Sequence, residues 1–388
     1  MTPISVQVQV PSDQVVQGRV DGSRVLFNLD DRRLHFLNET AEAVWDGIRS
    51  GESPDAIAEQ LAARFGTDFS LVRRDVAELV DRLGVDRLVV HDDHRRRATS
   101  DRPARLSPGV GTPFWPSTGS YRALDATIRI ETEDLELGDV IAAALAPLSS
   151  EEPADCAIRI DSQNDDCWKV TTRAGEPVIV GGRLPAAIRA LGEVNAAAIE
   201  SVPRQLVMHA GAVATAAGAL LLPAGPNQGK STLTTALVRD GMAYLTDEAA
   251  AVTRDGLCRP YAKAIALEPG SFEVHPDLAP STRGGLGAAL DSRVWHVGPD
   301  RVGSVGETAP VIAIVFPRWR PGSATILTPC TPAEAMPALV GEAFNFGRGG
   351  QLVFDILCDL VGRVPAWRLE YGDGDEAVEV IRSLPGLV

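Results

Sequence analysis

The residues able to do chemistry gather in one stretch, AGPNQGKST at 224–232, which follows the apolar run GALLLP at 218–223 and opens a helix-like segment at 233–240. A glycine-containing loop between a strand and a helix turns backbone N–H groups and the positive end of the helix toward anionic oxygens. Ala224, Gly225, Pro226, Asn227, Gln228, Gly229, Lys230, Ser231 and Thr232 therefore read together as a nucleotide-phosphate site. Lys230 adds a point charge and the Ser231 hydroxyl a ligand for Mg2+. The first position holds Ala224 where the pattern has Gly. A residue that closes a strand need not take φ > 0, so the loop reads as a variant of the site. Of 37 basic residues only Lys169, Lys230 and Lys263 are lysines. In a chain whose default cation is arginine, the loop lysine is a chosen residue, because a compact ammonium approaches several phosphate oxygens where a guanidinium is a planar fork.

Two stretches flank the loop. Residues 206–213, LVMHAGAV, read as a strand carrying His209, and residues 242–246, MAYLT, as a strand ending at the paired acids Asp247 and Glu248. In open α/β sheets ligands bind at the carboxyl ends of strands, which sets these acids beside the phosphates. The order HAGA at 209–212, phosphate loop, helix, then a strand ending in paired acids resembles HPr kinase/phosphorylase and its relatives. PYAKAIAL at 260–267, IVFPR at 314–318 and YGD at 371–373, followed by a helix at 377–381, occupy similar places. The resemblance spans about 123–388 and is strongest over 206–270.

This resemblance implies an α/β fold, a P-loop kinase domain with a central mixed sheet. It implies that Asp247 is the general base for an attacking hydroxyl, that His209 pairs with it and tunes its proton affinity, and that Ser231 and Glu248 hold Mg2+. ATP or another nucleoside triphosphate would be the donor. A neutral Ser or Thr hydroxyl is a poor nucleophile, and a positioned carboxylate contributes roughly 100- to 10,000-fold. The rest of phosphoryl transfer is positioning and charge neutralisation, for which Lys263 and Arg318 are candidates. The family pair is two aspartates, whereas the second acid here is Glu248. Plainer roles stay open: Asp247 as a metal ligand without a proton role, His209 as a core histidine, Lys263 as structural, and Arg318, Trp319 and Arg320 as an exposed strand end.

The elements ahead of this region form a smaller unit over residues 1–95. A hairpin of strands at 25–29 and 33–37 turns around Asp30 and Asp31, Asn38 caps a helix to about Arg49, and Ser53 with Pro54 starts a second. A third helix runs from about Ser70 to Leu83 with Val72, Val76, Leu79, Val80 and Leu83 on one face, and residues 87–90 close the unit as a strand. The arrangement is a small α+β winged helix. Through VLFNLDDRRLHFLNETAEAVW, the Ser-Pro helix start and RRDVAELVDRLGVDRLVV it resembles PqqD-like domains, the recognition elements that bind leader peptides of ribosomally made, modified peptides. The resemblance implies that a peptide adds as a strand to the sheet edge beside the third helix. Arg73 and Arg74 are the exposed candidates there, with a solvated helix face as the alternative.

Residues 96–122, rich in Pro, Gly and Ser, read as a linker. The remainder divides into 123–205 and the nucleotide-binding part 206–388. In the former, strands fall at 126–130, 156–160 and 168–172 and helices at 137–146 and 184–200, and the acidic stretch 131–166 reads as a solvated face.

A formal charge of −15 argues against nucleic acid as a partner. Five scattered cysteines without Cys-x-x-Cys argue against a disulfide framework or a zinc site. The N-terminus lacks a signal-peptide pattern and no apolar run approaches bilayer length, so no membrane partner and a cytoplasmic location are expected. The expected function is a Mg-ATP-dependent kinase acting on a Ser or Thr hydroxyl of a precursor peptide, captured through its leader by the N-terminal domain, a tether that makes the second contact intramolecular. Other peptide-modifying enzymes are further candidate partners, and a homo-oligomer is left open. Two alternatives stand beside it: a nucleotide-binding escort that presents peptide to a partner enzyme, and a kinase of a small hydroxyl metabolite.

Overall fold

The computed structural model describes residues 9–91, 117–164, 166–279 and 295–387. The chain forms two compact units, one of Met1–Pro103 with Phe346–Gly362 and one of Ala104–Asn345 with Arg363–Val388.

In the first unit, β1 (Gln9–Pro11) pairs antiparallel with β5 (Val89–His91), apart from a three-stranded sheet of β2 (Val15–Val20), β3 (Ser23–Asn28) and β4 (Arg33–Leu37) in the order β2-β3-β4. Asp21 and Gly22, both at positive φ, form the β2–β3 turn, the backbone that a tight hairpin between right-twisted strands requires. The helices start where local chemistry dictates. Asn38 accepts from the Ala41 N–H to open α1 (Glu39–Arg49), Ser53 accepts from Ala56 before Pro54 in α2 (Pro54–Phe65), and Asp68 caps α3 (Phe69–Val85). The third helix thus begins at Phe69, one residue ahead of the expected Ser70, behind the Asp68 cap. Val44, Trp45, Ile48, Ile57, Leu61, Val76, Val80 and Leu83 meet in one core with Leu26 and Leu37.

The helix Phe346–Arg363 joins this unit through all but its last residue. Phe346 and Phe354 pack on Phe27 at ring separations of 4.9 and 5.6 Å. A Cβ at Gly18 of β2 would meet Cys358 Sγ at 2.4 Å, so the strand needs glycine to admit the helix. Gln351 covers the β2 edge: the Gln17 N–H donates to its Oε1 at 3.0 Å and its Nε2 donates to the Gln17 carbonyl at 2.6 Å. Among the described residues neither β2 nor β4 has a strand beyond it, and the β2 edge is the one that Gln351 bonds.

The second unit contains two large sheets. The first, of order β11-β10-β9-β7-β6-β8, is built from β6 (Ser117–Ala123), β7 (Ala126–Thr132), β8 (Ser149–Ser150), β9 (Cys156–Asn164), β10 (Cys167–Thr171) and β11 (Pro177–Val180). Ile128, Ile130, Ile158 and Ile160 bury against α4 (Leu135–Leu145) and the alanine-rich face of α5 (Arg183–Ser201). Strand β6 corrects the linker expectation over its last residues. Small and hydroxyl residues hide its β character in the sequence, and pairing with β7 supplies it. The part of the expected linker at 96–116 lies outside the described residues. The acidic stretch is not uniformly solvated either: Glu131 is buried and paired with Arg129 and Arg159.

The second sheet carries the loop. It comprises β12 (Leu206–Ala214), β13 (Ala219–Pro223), β14 (Ala243–Thr246), β15 (Ala249–Val252), β16 (Leu257–Arg259), β19 (Ala309–Trp319), β20 (Ile326–Cys330) and β21 (Ala366–Tyr371), while β17 (Ile265–Leu267) and β18 (Trp295–Val297) pair separately. Strand β13 lies between antiparallel β12 and parallel β19, and β19 is parallel to β21. The architecture is mixed α/β, and β13, β19 and β21 direct their carboxyl ends to one edge. Helices α6 (Lys230–Arg239) and α7 (Ser271–Val274) follow β13 and β17. No helix among the described residues is long and apolar enough to cross a membrane.

Candidate functional site

Strand β13 is buried at every position and ends at Pro223. Ala224 is buried and has no positive φ, so a Cβ is tolerated there. The special conformations fall later, at Asn227 with φ 60° and Gly229 with φ 82°. Gly229 is doubly constrained, since a Cβ would come within 2.5 Å of the Tyr371 hydroxyl and 2.9 Å of Trp319 Cβ. The ends of β19 and β21 fasten the loop: the Trp319 N–H donates to the Gln228 carbonyl at 3.2 Å and the Tyr371 hydroxyl to the Gly229 carbonyl at 3.3 Å. The N–H groups of Asn227, Gln228 and Gly229 find no acceptor among the described residues, and Lys230 opens α6 immediately after them. Unpaired donors at a helix N-terminus are what an anion site requires.

Strand β12 brings His209 to the loop. The Lys230 ammonium, 7% exposed, contacts His209 Nε2 and lies 3.5 Å from the Ala224 carbonyl. Burial pulls the Lys230 pKa down to about 8, against the attraction of Asp247, Glu248 and Glu342. His209 is also held below its ordinary value, first by burial and then by the Lys230 charge, which together outweigh the nearby acids. A neutral imidazole that accepts from Lys230 at Nε2 carries its proton on Nδ1, and Nδ1 lies 3.3 Å from Glu342 Oε2. The resulting chain is Glu342, His209, Lys230, with the Phe344 ring 5.8 Å from the imidazole.

Asp247 and Glu248 occupy the break between β14 and β15, two strands that both pair with β12. Thr246 Oγ1 accepts from the N–H groups of Glu248 and Ala249, and the Ala210 N–H donates to the Glu248 carbonyl, so the ladder resumes after a two-residue interruption. Such an irregularity re-aims side chains that a regular strand would direct elsewhere. Asp247, 3% exposed, accepts from the Ser231 hydroxyl at 3.3 Å, the Tyr244 hydroxyl at 3.0 Å and the Ala266 N–H at 3.2 Å. Lys263 Nζ lies 3.7 Å from Asp247 and 3.5 Å from Glu248. Burial disfavours the Lys263 charge, but the two carboxylates outweigh it and leave its pKa raised. The same burial and the Asp247 charge hold the Tyr244 phenol protonated, a fixed donor.

Of these groups His209, Lys230, Ser231, Asp247 and Glu248 line, together with Ser271, a cavity of about 260 Å3. Two expected pairings differ. His209 meets Lys230 and Glu342 rather than Asp247, because the imidazole and the loop lysine share the inner end of the cavity. Ser231 meets Asp247, while Glu248 is engaged by Lys263. Arg318 is exposed on β19 and has no ion pair among the described residues. Thr232 Oγ1 lies 2.7 Å from Ser271 Oγ. No cluster of three His, Cys, Asp or Glu side chains that could hold a metal occurs among the described residues. A Mg2+ ion at this loop would draw on the Ser231 hydroxyl and one carboxylate, completed by phosphate and water oxygens, the sparse protein ligation usual for that ion. Glu342 and Tyr244 had no role in the sequence reading, and Tyr371 entered it only within the YGD segment, with no role assigned.

In the first unit the β4 side of α3 is marked by His35, whose Nδ1 lies 3.8 Å from Asp86 at the end of the helix. Arg73 instead donates to Asp55 of α2 at 2.6 Å, and Arg74 lies 3.8 Å from its neighbour Asp75.

Residues 23–89 match the family model for coenzyme PQQ synthesis protein D (PqqD). The segment is a PqqD-like domain. Among solved structures, a lasso peptide synthetase B1 complexed with the leader peptide is 22% identical, with coverage of 21% of this chain and 98% of that one and a TM-score of 0.21. TbiB1 in complex with the TbiA(beta) leader peptide is 23% identical, with coverage of 24% and 99% and a TM-score of 0.20. None of the curated proteins compared with the chain matches it.

Proposed function

We propose that this chain is an ATP-dependent kinase that phosphorylates a Ser or Thr hydroxyl of a ribosomally made precursor peptide, recruited through its leader by the PqqD-like domain. The observation that carries it is the contact between Ser231 of the loop and the buried Asp247 carboxylate, flanked by Lys230 and Lys263. A carboxylate one hydrogen bond from a phosphate loop can accept the proton of an incoming hydroxyl as its oxygen bonds to phosphorus and the bond to the departing diphosphate breaks. Lys230 and Lys263 supply positive charge where negative charge accumulates, and burial strengthens both. Bound Mg2+ would draw charge from the phosphate oxygens, with Ser231 and Glu248 or Asp247 as its protein ligands. Strand β4, beyond which no strand lies among the described residues, offers main-chain bonding to an added peptide strand, the mode expected of a PqqD-like domain.

One observation favours the escort instead. Asp247 is almost wholly enclosed and its oxygens already accept from three donors, which suits a fixed loop partner as well as a base. Incubating the full chain with Mg-ATP and the candidate precursor peptide separates the two. A kinase adds the mass of one phosphate to the peptide, and Asp247→Asn lowers transfer by about 100- to 10,000-fold while ATP still binds. Bound ATP with an unmodified peptide identifies the escort, and full activity in Asp247→Asn removes Asp247 as the base.

A further inference from the structure

We propose that Trp319 is the stacking platform for the base of a nucleotide whose phosphates sit on the 224–232 loop; this deepens the phosphate-loop reading and rests on it. The loop follows β13 and so has two flanks. On the β12 and β14 side stand Lys230, Asp247 and Glu248, the charged groups of the cavity, with the His209 imidazole. On the other side the parallel strands β19 and β21 end, carrying Trp319 and Tyr371 in register with one another. A nucleotide with its terminal phosphate among the charged groups extends away from them, over the carboxyl ends of the neighbouring parallel strands.

That second flank carries two aromatic side chains beside the Arg320–Glu370 pair, and it is tied down where it meets the loop. The Trp319 N–H donates to the Gln228 carbonyl at 3.2 Å, its Cβ lies against Gly229, and the Arg320 N–H donates to the Tyr371 carbonyl at 2.8 Å. Tyr371, 3% exposed, fills the space beneath the loop and bonds to the Gly229 carbonyl. Trp319, by contrast, is 46% exposed. A half-exposed large aromatic residue at the end of an eleven-residue strand, its own N–H bonded to the phosphate loop, presents a π-face to a planar ligand. Every nucleobase has such a face, so stacking contributes affinity with little discrimination among bases.

Titration of the full chain with Mg-ATP and with Mg-tripolyphosphate, which carries phosphates without a base, separates the two halves of the site. Wild type is expected to bind ATP about 5- to 100-fold more tightly than tripolyphosphate. Trp319→Ala should lose that margin while binding tripolyphosphate within about twofold of wild type, and Trp319→Phe should keep most of it. Equal wild-type affinity for the two ligands, or unchanged ATP affinity in Trp319→Ala, overturns the platform and leaves the phosphate loop standing. A parallel loss of both ligands in Trp319→Ala also overturns it, because the indole would then be a prop for the loop. A wild-type chain that binds neither ligand overturns loop and platform together.

Discussion

In the first unit the charged side chains stay largely at the surface, as in the pairs of Arg64 with Glu39 and Arg73 with Asp55, and the specialised polar features are main-chain edges. In the second unit Lys230, Lys263 and Asp247 are buried together beside a loop whose 227–229 N–H groups find no acceptor among the described residues. Strand edges recognise a peptide through a backbone every sequence shares, so a domain that works this way needs no perturbed ionisable group. The phosphoryl chemistry proposed for the second unit would need charges held in a poorly solvated place, and burial of Lys230 does lower its pKa. A domain of the first kind reveals itself by its pattern of elements, one of the second kind by particular residues.

The largest effect expected from breaking this contrast lies in the first unit. Phe354 stacks on Phe27 with the rings 6° from parallel, and both are fully buried. Phe354→Ala should destabilise this unit by about 3–5 kcal/mol, the usual range for a buried aromatic cut to alanine. Hydrogen exchange is expected to accelerate in both Ser23–Asn28 and Phe346–Arg363, while Mg-ATP affinity stays within about twofold. Exchange that speeds up in only one of these segments would show that the helix does not share the core of the PqqD-like domain.

A substitution in the second unit should separate stability from binding. Lowering the Lys230 pKa from 10.5 to about 8 corresponds to roughly 3 kcal/mol of disfavoured charge. Lys230→Met removes that penalty but leaves His209 Nε2 without its donor, an opposing loss of about 1 kcal/mol. The ligand-free variant should therefore melt a few degrees higher, yet bind Mg-ATP about 100-fold more weakly. The pH dependence has a definite sign. Below about 8 the folded protein bears the full penalty of the charged lysine, and as pH rises from about 8 toward 10.5 the unfolded chain holds more protons, so wild-type stability gains a rising contribution that the variant lacks. Nucleotide affinity moves the other way, falling by up to tenfold per pH unit above about 8. A flat affinity profile from pH 7 to 10 would remove the Lys230 charge from the binding site.

How much of this is legible in the sequence depends on how local the cause is. The caps at Asn38 and Ser53, the phosphate loop and the acids at the end of β14 are written in neighbouring residues, and composition or spacing reveals them. Strand β6 is not, because Ser117 to Ser120 offer only Thr118 as a β-forming side chain and pairing with β7 makes them a strand. The docking of the helix around Phe354 onto β2 and β3 depends on contacts more than 300 residues apart in sequence, such as Gln17 with Gln351. Glu342 reaches His209 from 133 positions away, the difference between their numbers, and no spacing rule predicts that pairing. The same distance defeats the placement of Tyr371 beneath Gly229.

The smallest expected effect concerns Arg73. Its guanidinium is engaged by Asp55 on the α2 side of α3, whereas the open β4 edge lies toward Asp86 at the other end of that helix. An exposed ion pair of this kind contributes about 0–1 kcal/mol, so Arg73→Ala should leave the melting temperature nearly unchanged. If recognition runs through the backbone of β4, affinity for a labelled leader peptide, read by fluorescence anisotropy, should change by less than about twofold. Phe36→Glu, which puts a charge on an exposed β4 side chain, should weaken it clearly more. A tenfold loss in Arg73→Ala would instead put a charged side chain at the centre of peptide capture, and the contrast between an edge that reads backbone and a loop that reads charge would no longer divide the two units.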